Sequence, residues 1–205
     1  MDEKSRNMIR AVIEEFNRFS YIAPEDVPDI QLYMDQITTF MDGKLSSCKR
    51  YPDEKILTKT MINNYTKNKL IPPPEKKRYS KDHLLLLIYV YYLKDFLQIS
   101  DIQTLLGPLT EKCFAGDDQL SMQEVYNAVV RLVKGQTGYM TKDLMRRWKM
   151  ARSTFPDAPE ESAEYLQVFS FICLLSFDVY VKKKLIEKVV DEMNQSRGGQ
   201  AETEN

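Results

Sequence analysis

Apolar side chains recur at spacings of one, three and four through residues 3–19, where Met8, Ile9, Val12, Ile13, Phe16 and Phe19 predict an amphipathic helix of 3.6-residue period. Pro24 and Pro28 break that pattern. A second stripe, Ile30, Met34, Ile37, Phe40 and Met41, predicts a helix over residues 30–44, with Pro28 and Asp29 in its first turn and Gly43 at its end. After the polar connection SSCKRYPDEK, Thr58 can cap a short helix over residues 58–68. Ile62 and Tyr65 would face inward on it, leaving Lys59, Thr60, Asn63, Asn64 and Lys67 on the other sides. Pro72, Pro73 and Pro74 cannot continue that helix and predict an extended crossing. Ser80 can then cap a helix over residues 81–98, apolar on nearly every side up to Tyr91 and so the central buried element.

Beyond it the pattern stays helical. Ser100 suits the cap of a brief helix stopped by Gly107 and Pro108, and Ser121-Met122-Gln123-Glu124 reads as a capping box for a helix that Gly135 would end. Another helix is expected from about Thr141 until FPDAP breaks it. From residue 160 to 193 neither Pro nor Gly intervenes, which predicts one long helix or two shorter ones. Its stretch YLQVFSFICLLSFDVYV includes Gln167, Ser170, Ser176 and Asp178, which argue against a membrane span and for a buried or dimer-forming helix. SRGGQAETEN is expected as a flexible tail. With only 7 glycines in 205 residues and 43% hydrophobic positions, the chain suits an all-α fold better than a sandwich or barrel.

Composition narrows the function classes. The amino-terminal residues mix charges of both signs and lack the apolar run of a secretory signal, so a cytoplasmic location is expected. Three cysteines far apart, Cys48, Cys113 and Cys173, suggest neither a disulfide framework nor a metal site. His83 is the only histidine, no phosphate-cradling glycine motif occurs, and the carboxylate pairs Glu14 with Glu15 and Asp117 with Asp118 read as solvated surface. No catalytic residue, cofactor or metal is therefore expected, and the chain does not read as an enzyme.

The net charge of −1 hides a strong asymmetry. Residues 44–81 hold eleven Lys and Arg against three acids, so this segment carries +8 and the remainder −9. Such a patch fits one face turned to an anion, although a charge run is more often a solvated surface. Its parts follow the order a winged helix-turn-helix requires: helix, connection, short polar helix, proline-braced turn, long buried helix. In that arrangement Lys59, Thr60, Asn63, Asn64 and Lys67 would read bases, because an amide can bridge adenine N6 and N7 and an ammonium can meet guanine. Lys49, Arg50, Lys55, Lys76, Lys77 and Arg78 would meet phosphates. The plainer alternative is that the Asn pair merely turns the chain and the lysines keep it soluble, and periodicity leaves both open.

The run from residue 58 to 106 resembles the DNA-binding region of the MerR family of bacterial transcription regulators. MINNYTKNKLIPP, KRYSKDHLLLLIYV and ISDIQTLL stand where that family has a reader helix and turn, an Arg-Tyr step before a long helix, and a short helix. The loop between Pro74 and Arg78 is shorter than the usual wing, Asn63 stands where the family generally has a phosphate-binding Arg, and the connection before the short helix is long. LYMDQITTFMDGKL together with LTKTMINNYTKNKLIPPPEKKRYSKDHL resembles still more closely a bacterial family of domains of unknown function, number 1836, with YkrK-like regulators among its members. The resemblance implies a MerR-like helix-turn-helix with a reduced wing. The expected organisation is a DNA-binding region over residues 1–109, a helical dimerisation or sensing region over 110–195 and a tail over 196–205. The expected partners are double-stranded DNA, a second copy of the chain and an effector, small molecule or protein, with no membrane. The long carboxy-terminal helix and the helix near Val125 to Val133 are the candidate dimer elements, unless they pack within one chain. The alternative function is an adaptor whose basic patch docks an acidic protein.

Overall fold

Thr58 and Ser80 each open the helix expected of them. The Thr58 hydroxyl accepts the Met61 N–H at 3.1 Å and starts α2 (Lys59–Lys67), while Ser80 and His83 cap each other at the start of α3 (Lys81–Leu93). These are numbered after α1 (Met34–Lys44) and precede α4 (Ile99–Phe114), α5 (Met122–Arg152) and α6 (Glu160–Thr203), so the fold is all-α. The computed structural model describes residues 7, 10–14, 21–114 and 120–203, without the side chains of 160–161 and 197–203. The amino-terminal helix expected over residues 3–19 thus falls mostly outside the described residues, as do Glu15, Asp117 and Asp118; residues 10–14 are helical.

Where helix was expected from residue 30, the chain first makes β1 (Leu32–Tyr33), and α1 begins only at Met34. β1 pairs antiparallel with β2 (Arg78–Tyr79), Leu32 opposite Tyr79 and Tyr33 opposite Arg78. The reason is burial: Leu32 and Tyr79 point into the core, while Ile30 remains exposed.

α4 starts at Ile99, one residue before the expected Ser100 cap, and the Asp101 carboxylate accepts the Gln98 N–H at 3.2 Å. It then continues through Gly107 and Pro108, with Ile102 and Leu106 buried. α5 passes through Gly135 as a single helix and ends at the expected FPDAP break. α6 extends to Thr203, through the segment expected as a tail.

The described residues divide into two units. One comprises Tyr21–Arg131 and Glu187–Asn205, the other Met1–Ser20 and Leu132–Ile186. In the first, α3 forms the centre, with Leu84 to Val90 buried in succession. Tyr21, Tyr89 and Tyr126 meet edge to face around it, and the Tyr126 hydroxyl donates to the Ile22 carbonyl at 2.6 Å. Burial raises the pKa of Tyr89 to about 12, keeping it neutral. Tyr126 and Val130 belong to this core, so the start of α5 packs within the chain.

In the second unit, Trp148 and Ala151 of α5 pack on Phe171 of α6. Arg147 joins Asp143 to Asp178, and Lys182 completes the network at 2.7 Å from Asp178. Within α6, residues 162–196 form one stretch long and apolar enough to cross a membrane by length and composition alone. Most of its surface is open rather than buried.

Candidate functional site

α2 has a sharp division of faces. Ile62 and Tyr65 are buried against the core, and Lys59, Thr60, Asn63, Asn64 and Lys67 are all exposed. At about 100° per residue these five fall within an arc of roughly 140° on the side away from Ile62 and Tyr65. The amides of Asn63 and Asn64 make no side-chain hydrogen bond among the described residues, whereas the Asn64 carbonyl is taken by the Asn68 side chain at 2.8 Å. The amides are therefore free to meet a ligand.

The end of α2 is held firmly. Lys69 adopts a φ of 55°, its N–H bonds the Thr66 carbonyl at 3.0 Å, and the Leu70 N–H bonds the Tyr65 carbonyl at 2.9 Å. This is a Schellman stop with lysine where glycine is usual. Leu70 and Ile71 are then buried, which pins the chain before Pro72, Pro73 and Pro74. Pro74 leads into a tight turn, closed by the Arg78 N–H on the Glu75 carbonyl at 2.9 Å. Lys76 and Lys77 occupy that turn with φ of 48° and 64°.

His83 supports the turn from below. Its Nδ1 accepts the Ser80 N–H at 3.1 Å, and its ring meets Tyr79 and Phe114 edge to face. Burial lowers its pKa, opposed in part by the carbonyls of Pro72 and Pro73, while the buried Nε2 makes no well-formed hydrogen bond among the described residues. The histidine is a structural support for the brace.

The basic residues of the 44–81 segment, the expected phosphate contacts Lys49, Arg50, Lys55, Lys76, Lys77 and Arg78 among them, have different environments. Lys67, Lys69, Lys76, Lys77 and Arg78 are exposed and make no ion pair among the described residues, and neither does Lys55. Arg50 lies over the Tyr51 ring at 5.3 Å. Lys49 is committed to Asp42 at 2.7 Å, with its side chain only 14% exposed, and Lys59 is paired with Asp35. Lys44 and Lys81 are likewise paired, with Asp26 and Asp29.

Between α2 and the turn lies a groove of about 430 Å³, lined by Tyr33, Met34, Lys59, Asn63, Lys77 and Tyr79 among others. It joins two of the expected base-reading residues, Lys59 and Asn63, to Lys77 of the turn. Sequence reasoning assigned no role to Lys69 or Tyr33. The sign of Lys69 was present in the chain, as a residue just past the last helical turn and before a buried Leu-Ile pair, but Tyr33 enters only through the pairing of β1 with β2. No group of three or more metal-ligating side chains occurs among the described residues.

The model of a family described as a domain of unknown function, DUF1836, matches residues 22–129, more than half of the chain. No curated protein and no solved structure gave a significant match. The matched segment contains α2, the proline brace, the lysine turn and the whole of α3. The chain therefore belongs to the DUF1836 family.

Proposed function

We propose that the open face of α2 and the lysines around it bind double-stranded DNA, and that the protein is a sequence-specific transcription regulator. The observation carrying this reading is a set of uncommitted polar groups on a rigid frame: two free amides on one short helix, bordered by Lys67, Lys69, Lys76, Lys77 and Arg78. Amides suit base edges and unpaired ammonium groups suit phosphates, so base reading and backbone positioning come from different residues. The order β1, α1, α2, β2, α3, with β1 paired to β2, supports a MerR-like winged helix-turn-helix in which the turn from Glu75 to Arg78 is the reduced wing. The resemblance to YkrK-like regulators read from the sequence points the same way.

Fluorescence anisotropy with a library of labelled duplexes tests the reading. Micromolar protein in about 50 mM salt should retain random duplex, because phosphate contacts dominate at low ionic strength. Asn63→Ala and Asn64→Ala should relax preference at particular base pairs at a cost of about 1–3 kcal/mol each, and Lys76→Ala with Lys77→Ala should weaken all sequences about equally. Failure of the unaltered protein to retain any duplex at that salt would overturn the proposal.

A further inference from the structure

α6 has two apolar sides within the second unit. One packs through Phe171 and Leu175 against Trp148 and Leu144 of α5. The other is bare. At about 100° per residue, Tyr165, Phe169, Ile172, Phe177 and Tyr180 share an arc of roughly 140° and are 52–69% exposed. At roughly 100 Å² of open surface each, these five present about 500 Å², which makes about 1,000 Å² across a two-fold pair, the size at which a specific interface begins.

We propose that this face is a homodimer interface, in which α6 packs antiparallel on the α6 of a second copy about a two-fold axis beside Cys173. The charge pattern favours a copy of the same chain. Residues 165–181 contain one ionisable carboxylate, Asp178, and it is already held by Arg147 at 3.2 Å and Lys182 at 2.7 Å. The arc from Tyr165 to Tyr180 holds no charged side chain, with Lys182, Lys183 and Lys184 following beyond it, so it offers nothing to a charged partner and meets itself without repulsion.

Shape agrees with charge. An antiparallel pairing about a point between Ile172 and Cys173 sets Tyr165 opposite Tyr180 and Phe169 opposite Ser176. Large therefore meets small at Ser176 and Cys173, both exposed, which lets two helices approach closely. A bilayer is a poor occupant, because α5 packs along the inner side of α6 and exposes Lys142, Arg146 and Lys149, which insertion would bring into hydrocarbon.

Light scattering on the full chain across about 1–100 µM tests the interface, since dimer formation is concentration-dependent. The expected mass is twice the 24.0 kDa of one chain. Phe169→Glu and Tyr180→Glu should each return it to 24.0 kDa while the emission of the single tryptophan, Trp148, stays unchanged, because both replaced side chains are exposed in the monomer. A short bis-maleimide should join two chains through Cys173, the exposed cysteine, and Cys173→Ser should abolish the product. A mass of 24.0 kDa throughout, a dimer that survives both Glu variants, or no Cys173 cross-link would overturn the proposal. The interface does not depend on the DNA reading: a monomer that binds DNA overturns only the interface, and a dimer that ignores DNA overturns only the DNA reading.

Discussion

Lys69, Lys76 and Lys77 hold left-handed φ values of 55°, 48° and 64°, a region that costs a side chain with a β-carbon about 1–2 kcal/mol and glycine almost nothing. For folding alone, glycine or asparagine would serve better at all three positions. Backbone hydrogen bonds hold each turn, but the three side chains are exposed and make no ion pair among the described residues, so what lysine adds over glycine there is its charge. This separates binding from stability. Lys76→Gly and Lys77→Gly should each leave the fold as stable or raise its unfolding free energy by up to about 1 kcal/mol, yet lower affinity for duplex DNA several-fold. Urea denaturation and anisotropy on the same samples measure the two effects. If the glycine variants bind like the parent, these turn lysines do not meet phosphate.

The elements legible in the sequence are those specified by adjacent residues. Thr58 and Ser80 caps, the FPDAP break and the division of α2 into an Ile62–Tyr65 side and an Asn63–Asn64 side all follow from local chemistry and a 3.6-residue period. Gly135 misled because a helical glycine costs only about 1 kcal/mol, which continuous turns on both sides outweigh; Pro108 is a stronger breaker, at about 3 kcal/mol, and α4 nonetheless runs through it to Phe114. β1 and β2 were invisible because two-residue strands have no period and their pairing joins distant positions, Leu32 and Tyr79. The acids opposite Lys44, Lys49, Lys59 and Lys81 were missed for the same reason, since they lie on α1 and the segment before it. The apolar middle of α6 was readable as a surface to be covered, but periodicity within one chain does not say which copy covers it. Gly135 also makes a direct test of α5. A β-carbon built there meets nothing within 4 Å, so Gly135→Ala should stabilise the protein by about 0.5–1 kcal/mol in denaturant unfolding. A loss of stability instead would mean that α5 needs a bend or a close approach at this point.

Over the whole molecule, charge is organised more finely than the totals indicate. Residues 44–81 carry +8 and the rest −9, but four acids from the negative remainder, Asp26, Asp29, Asp35 and Asp42, stand against Lys44, Lys81, Lys59 and Lys49. Pairs of this kind, each with its carboxylate open to water, contribute only about 0–1 kcal/mol to stability. Their larger effect is on a polyanion, because a phosphate approaching such a lysine also meets its carboxylate. Arg50, Lys55, Lys67, Lys69, Lys76, Lys77 and Arg78 then remain to neutralise a backbone, and all seven lie on α2, at its end, in the connection leading to it or in the turn after it. With a slope of about −0.9 per neutralised phosphate, log K against log salt should fall at about −6 per bound copy, rather than the −10 or so expected if all eleven basic residues took part. Asp35→Asn should release Lys59 from its pair, tightening binding at low salt and steepening the slope by about one. A parental slope near −10 that Asp35→Asn leaves unchanged would show that DNA opens the pairs freely, and the division into committed and available cations would fall.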